Sequence, residues 1–201
     1  MAGKVDTSLP LEYQKHQDQM NILGFWIFLG AEIVLFSTLF ATYFILVDRT
    51  AGGPSGADLF HVKELMINTF LLLTSSFTAG LAIREMRNHN LKGLLLWFII
   101  TLVLGLGFLT VEIYEFNLFV HEGAAIGTSA FTSALFTLLG THGAHVTLGV
   151  GWGVLIIMQL LKRGLTPTTA RKTFIFSLYW HFLDVVWIFI FTFVYLKGMV
   201  M

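Results

Sequence analysis

The chain has no cysteine among its 201 residues. That excludes a disulfide framework, a thiolate metal site and a cysteine nucleophile. Charge is also scarce. Only 12% of residues are Asp, Glu, Lys or Arg, where soluble domains carry about one quarter. Twelve basic residues balance twelve acidic ones, so no cationic excess points to nucleic acid as a partner. Internal repeats are absent, and the longest connections, 48–64 and 115–130, are too short to fold alone. What the chain does have is apolar residues, 56% of the total, gathered into five stretches at 22–47, 65–83, 94–114, 131–161 and 173–196.

Even the shortest stretch approaches the roughly 20 residues that carry a helix across the hydrocarbon core. Lipid requires every backbone polar group to bond internally, which helices achieve and open sheets do not. The expected fold is therefore all-α: an integral membrane bundle of five transmembrane helices over 22–198, preceded by a polar tail at 1–21. The first stretch follows polar residues without a basic n-region, so it reads as a retained span and not a signal peptide. The stretch 131–161 is long enough to tilt strongly or to extend beyond the bilayer. Loop cations set the orientation. Lys4, Lys15, Arg84, Arg87, Lys92, Lys162, Arg163, Arg171 and Lys172 fall on one side, and only Arg49, Lys63 and Lys197 on the other. This predicts a cytoplasmic N-terminus and an outside C-terminus. Glu112 and Glu115 then close the third helix at its outer end, where carboxylates are expected to meet interfacial water.

Few titratable residues remain within the spans. Glu32, His142, His145, His181 and Asp184 each lie roughly 12–21 Å from the start of their helix at about 1.5 Å per residue, near mid-depth. A central carboxylate costs on the order of 3 kcal/mol unless it is paired or faces the protein interior. Three helices carrying such residues at one depth imply a shared polar seam. His142 and His145 share a helix face, as do His181 and Asp184, because positions i and i+3 are neighbours. Gly140/Ala144 and Gly149/Gly153 repeat at four-residue spacing, which lets helices approach closely in lipid. Trp180 and Trp187 flank the last polar pair and are expected inside. The residues alone leave several readings of the seam open. It can be interhelical hydrogen bonding that fixes register, a proton relay or lipid-headgroup contact, or a metal or heme site. A carboxylate–histidine diiron centre would use Glu-x-x-His on two helices, whereas the spans carry His-x-x-His and His-x-x-Asp once each. A transporter would favour repeats and broken helices, and neither is visible.

Four segments, "GFWIFLGAEIVLF" (24–36), "EIYEF" (112–116), "GTHGAHVTLG" (140–149) and "YWHFLDVVWIFIF" (179–191), together resemble subunit III of the heme–copper terminal oxidases. The resemblance runs from Asn21 to Gly198 and fits the five-helix bacterial form. It implies an accessory, non-redox subunit of a proton-pumping complex in the bacterial plasma membrane that reduces dioxygen to water. Hemes and copper are then expected in partner subunits, and neither catalytic residues nor metal ligands in this chain. Implied partners are subunit I by direct packing, subunits II and IV within the complex, and bound phospholipid. Implied roles are bracing subunit I and supporting proton uptake. Glu32 matches the family's buried carboxylate, and His142, His145, His181 and Asp184 match its helix pairs. His145, with Trp152, is the candidate lipid contact. The runs at 21–42 and "RTAGG" at 49–53 are closer to the quinol oxidase branch. The alternatives are subunit III of a cytochrome c oxidase, and a standalone His/carboxylate membrane metalloprotein or proton channel.

Overall fold

The computed structural model describes residues 8–14 and 16–200. Lys4 and Lys15, two of the cations used for orientation, lie outside the described residues. The chain is all-α, with no strand among the described residues, and five of its helices are long and apolar enough to cross a membrane. They are α1 (His16–Leu46), α3 (Val62–Arg87), α4 (Leu91–His121), α5 (Ala130–Arg163) and α6 (Pro167–Ile190). A single turn, α2 (Gly56–Leu59), lies in the connection after α1. The last span continues from α6 through a π-helical stretch, Phe191–Leu196, into a final turn, α7 (Lys197–Val200).

The last three spans outrun their apolar cores, and polar residues cap them beyond the hydrophobic run. Ser129 and Thr166 accept from the amides of Thr132 and Thr169 and open α5 and α6 with reciprocal capping boxes. Pro167 follows Thr166 at the first helical position, where its missing N–H costs nothing. Asn90 caps α4 by accepting from Gly93 N at 3.1 Å. The turn before it bends tightly through His89 at φ 57°, so α3 and α4 form an antiparallel hairpin.

The described part of the polar tail packs onto the bundle. A 3-10 turn, Leu11–Tyr13, precedes α1, which begins at His16 and not near residue 22. Glu12 is fully buried and accepts from Arg87 Nε at 3.0 Å and Nη2 at 2.8 Å. Asp18, 2% exposed, pairs with Arg171. These ion pairs tie the segment to the end of α3 and the start of α6. Burial, reinforced by the Glu12 carboxylate and opposed by Arg87, pushes the Tyr13 phenol above its usual 10.0.

Burial is uneven among the helices. Within its span α1 buries Ile22, Leu29, Phe36 and Tyr43, one residue in every seven, and points Ile27, Val34 and Ile45 outward. It is a peripheral helix held by a narrow stripe. The core lies among α3, α4, α5 and α6, around Phe98, Phe108, Phe176, Trp180 and Trp187. Gly149 and Gly153 serve the close approach expected of them: a Cβ there would lie 3.0 Å from the Trp180 ring and 2.6 Å from Leu102. Gly140 has open space, and Ala144 is exposed. That half of the small-residue pattern therefore packs against nothing within the chain.

Candidate functional site

The expected seam divides into separate groups. Glu32 on α1 and His145 on α5 come together, with Nε2 3.2 Å from Oε2 and side chains 18% and 13% exposed for His145 and Glu32. The Nδ1 of His145 lies 2.7 Å from the Thr141 carbonyl. A carbonyl can only accept, so Nδ1 carries a proton. Glu32 Oε2 has no hydrogen-bond partner, so the two side chains meet at ion-pair distance only. A carboxylate in a thinly buried membrane helix thus has an imidazole of the neighbouring helix beside it.

His181 and Asp184 do not pair with each other; they converge on Ser76 of α3. Ser76 Oγ lies 2.7 Å from His181 Nδ1, and the Asp184 carboxylate faces the same hydroxyl, its Oδ1 having no hydrogen-bond partner. Beside them Trp180 Nε1 donates to Ser75 Oγ at 3.0 Å. The Ser75–Ser76 pair thus receives three side chains of α6 at once. Phe36 lies between the histidines, with ring centroids 5.3 Å from His145 and 6.4 Å from His142.

His142 is isolated from its helix-mate. It is fully buried, stacks on Trp187 at 5.6 Å and meets the edge of Phe108 at 5.7 Å. Neither ring nitrogen has a hydrogen-bond partner. Trp187 in turn donates to Thr69 Oγ1 at 3.1 Å. His142 is therefore an aromatic core residue and not a bridge between helices.

Glu112 and Glu115 require a correction. They are not solvated helix-end carboxylates: α4 runs on to His121, and both side chains are buried at 3% exposure. Asn68 Nδ2 and the Tyr195 hydroxyl donate to Glu115 Oε2 at 3.1 and 3.4 Å. The Glu112 carboxylate rests on Gly143, where a Cβ would come within 2.5 Å of Oε2, and its Oε1 has no partner. The error arose because the hydrophobic run ends near Tyr114 whereas the helix does not.

The partners Ser75, Ser76, Asn68 and Tyr195 were not singled out from the sequence. The signal for Asn68, Ser75 and Ser76 was the density of small polar residues inside the second apolar stretch, the pattern by which membrane helices bond to one another; Tyr195 carried no such signal. Trp152 is half-buried, packing against Phe25, Phe176 and Tyr179. No group of three or more His, Asp or Glu side chains among the described residues is placed to hold a metal ion.

Comparison with known proteins bears on this arrangement. The family model of cytochrome c oxidase subunit III matches residues 12–199. The chain is 64% identical to quinol oxidase subunit 3 of Bacillus subtilis (strain 168), over 96% of this chain and 95% of that one. It is 56% identical to cytochrome c oxidase subunit 3 of Bacillus sp. (strain PS3), over 90% of this chain and 87% of that one. A probable quinol oxidase subunit 3 of Staphylococcus saprophyticus is 50% identical, over 94% of this chain and 95% of the other.

Proposed function

The chain belongs to the cytochrome c oxidase subunit III family, and from that premise we propose that it is the subunit III of a quinol oxidase. It is a multi-pass membrane protein. In this reading it sits in the bacterial plasma membrane with its N-terminus cytoplasmic, packs against subunit I, and joins subunits II and IV in the complex. Hemes and copper belong to the partners. The observation that carries the quinol assignment is the 64% identity to quinol oxidase subunit 3 of Bacillus subtilis (strain 168), over nearly the whole chain, against 56% to cytochrome c oxidase subunit 3 of Bacillus sp. (strain PS3).

The geometry supports a bracing role over a catalytic one. The polar side chains inside the bundle meet across helices of this chain: Glu32 and His145 at ion-pair distance, His181 with Ser76, and Glu115 with Asn68 and Tyr195. Such contacts fix helix register in lipid. Support of proton uptake by subunit I is the family's role and is proposed here on membership alone. Bound phospholipid is favoured by the groove between α1 and α6. Apolar cavities of about 330 and 260 Å³ follow one another there past Leu29, Ile33, Phe182 and Phe189. Near one end of the groove the Lys197 ammonium lies 5.3 Å from the centre of the Phe44 ring. An acyl chain would lie along the groove with an anionic headgroup at Lys197.

Purification with native partners tests the assignment. A subunit II lacking a dinuclear copper site is expected; a dinuclear copper site would transfer the chain to the cytochrome c oxidases. The hemes should remain with the complex after this subunit is stripped off. Stoichiometric heme or metal on the isolated chain would overturn the accessory reading. Proton flux through liposomes holding only this chain would favour a channel instead.

A further inference from the structure

The inner carboxyls, Glu112 and Glu115, are needed by none of the roles proposed above. They sit one turn apart on the same face of α4, each 3% exposed, and no Lys or Arg among the described residues lies within ion-pair distance of either. Their surroundings differ sharply. Glu115 receives two donors, from Asn68 on α3 and from Tyr195. Tyr195 reaches it from the π-helical stretch Phe191–Leu196; one residue more or less in the turn would rotate that side chain by roughly 100° about the axis. Glu112 receives no donor at Oε1 and lies against the Gly143 backbone of α5. The other titratable groups facing the pair are Tyr195, with Tyr43 of α1 behind it, and, toward the end of the bundle, Glu64 of α3 and His61 just before it. None of these supplies a fixed positive charge.

We propose that Glu112 and Glu115 form a proton-binding site inside the bundle, retaining one proton at neutral pH on Glu112 while Glu115 is the acceptor for Asn68 and Tyr195. Two ionised carboxylates cannot share an apolar site without a counter-charge. One proton from the surrounding water removes that conflict. It rests on Glu112 because an acceptor with two donors already in place favours the ionised form, and an acceptor with none favours the acid. The proton also turns Glu112 into a donor in a cluster whose Asn68 Oδ1 has no partner of its own. The inference does not depend on the oxidase assignment, because all the groups belong to this chain.

Infrared spectroscopy of the full chain in its native complex, labelled with carbon-13 glutamate, tests it. At neutral pH a protonated-carboxyl C=O band that shifts with the label is expected. Glu112→Gln should abolish one such band, and Glu32→Gln should leave that band in place. Gln mimics the neutral acid, so Glu112→Gln should assemble and melt like the parent. The site is overturned if the labelled parent has no protonated glutamate band at neutral pH, or if the band survives Glu112→Gln. A stoichiometric metal ion bound to the parent and lost in Glu112→Gln would also overturn it, by assigning the charge compensation to a cation. Other glutamates of the complex carry the label as well, so if Glu112→Gln fails to assemble, Glu112→Asp, whose carboxyl escapes the glutamate label, should remove the label shift from one band, and an unchanged set of shifting bands would overturn the site.

Discussion

The bundle holds two polar regions that solve one physical problem differently. The outer region faces α1: Glu32 meets His145, and His181 meets Ser76. The inner region lies among α3, α4, α5 and the end of α6: Glu115 meets Asn68 and Tyr195, with Glu112 beside Gly143. Outside, a carboxylate is balanced by a titratable base on the neighbouring helix, and some exposure remains. Inside, the donors are neutral, and exposure falls to 3% for both acids. A residue type in a membrane helix therefore says little about its state. The supply of donors and charge around it decides.

The largest effect should come from removing the aromatic wall of the inner region. Trp187 is fully buried, covers His142 and bonds to Thr69. Trp187→Ala is expected to cost about 3–5 kcal/mol, the range for large-to-small core changes, seen as a lower melting temperature and loss of the subunit from the purified complex. Next is Ser76→Ala, which leaves His181 and Asp184 without their common partner at a cost of about 1–3 kcal/mol. Thermal denaturation of the complex measures it; an unchanged midpoint would mean that the α3–α6 link bears no load. Glu32→Gln should fall below about 1 kcal/mol, because Glu32 Oε2 has no hydrogen bond to lose. Steady-state oxygen consumption should be preserved, and its loss in a fully assembled complex would contradict the accessory role of the outer region.

A third carboxylate, outside the spans, sharpens the comparison and should give the smallest effect. Asp58 accepts from the Ser55 amide at 2.9 Å and the Ser55 hydroxyl at 2.7 Å. These bonds, the hydroxyl first, hold its carboxyl below the usual 3.8. The sign follows from linkage: a carboxyl depressed in the folded state stabilises fully above its unfolded value and loses that contribution as pH falls through the folded one. Hydrogen exchange at the Ser55 amide should therefore quicken only below pH 3.8, and Asp58→Asn should abolish that dependence. An amide whose protection fails near neutral pH would show that another group governs the turn.

Much of this was legible in the chain itself, though unevenly. The five spans and the inward placement of Trp180 and Trp187 follow from residues close in sequence. The misplacement of Glu112 and Glu115 has a local cause too, because helix ends are set by caps and tertiary contacts while hydropathy marks only the lipid-matching core. His181 and Asp184 are neighbours on a helix face, yet both turn to a serine 105 residues from His181. Spacing revealed the shared face and could not reveal what stood opposite.

The sequence by itself determined that this is a five-helix membrane protein, and which few ionisable residues must be reconciled with lipid. A helix bonds its own backbone within four residues, and apolar length fixes where it can reside. Only the tertiary structure decided the partners: Glu32 with His145, Asn68 with Glu115 across 47 residues, Tyr195 with Glu115 across 80. It also decided that His142 stands alone among aromatic rings. The physical reason is that a side chain's charge state and bonding depend on what faces it, and in a bundle that face is supplied by a distant part of the chain.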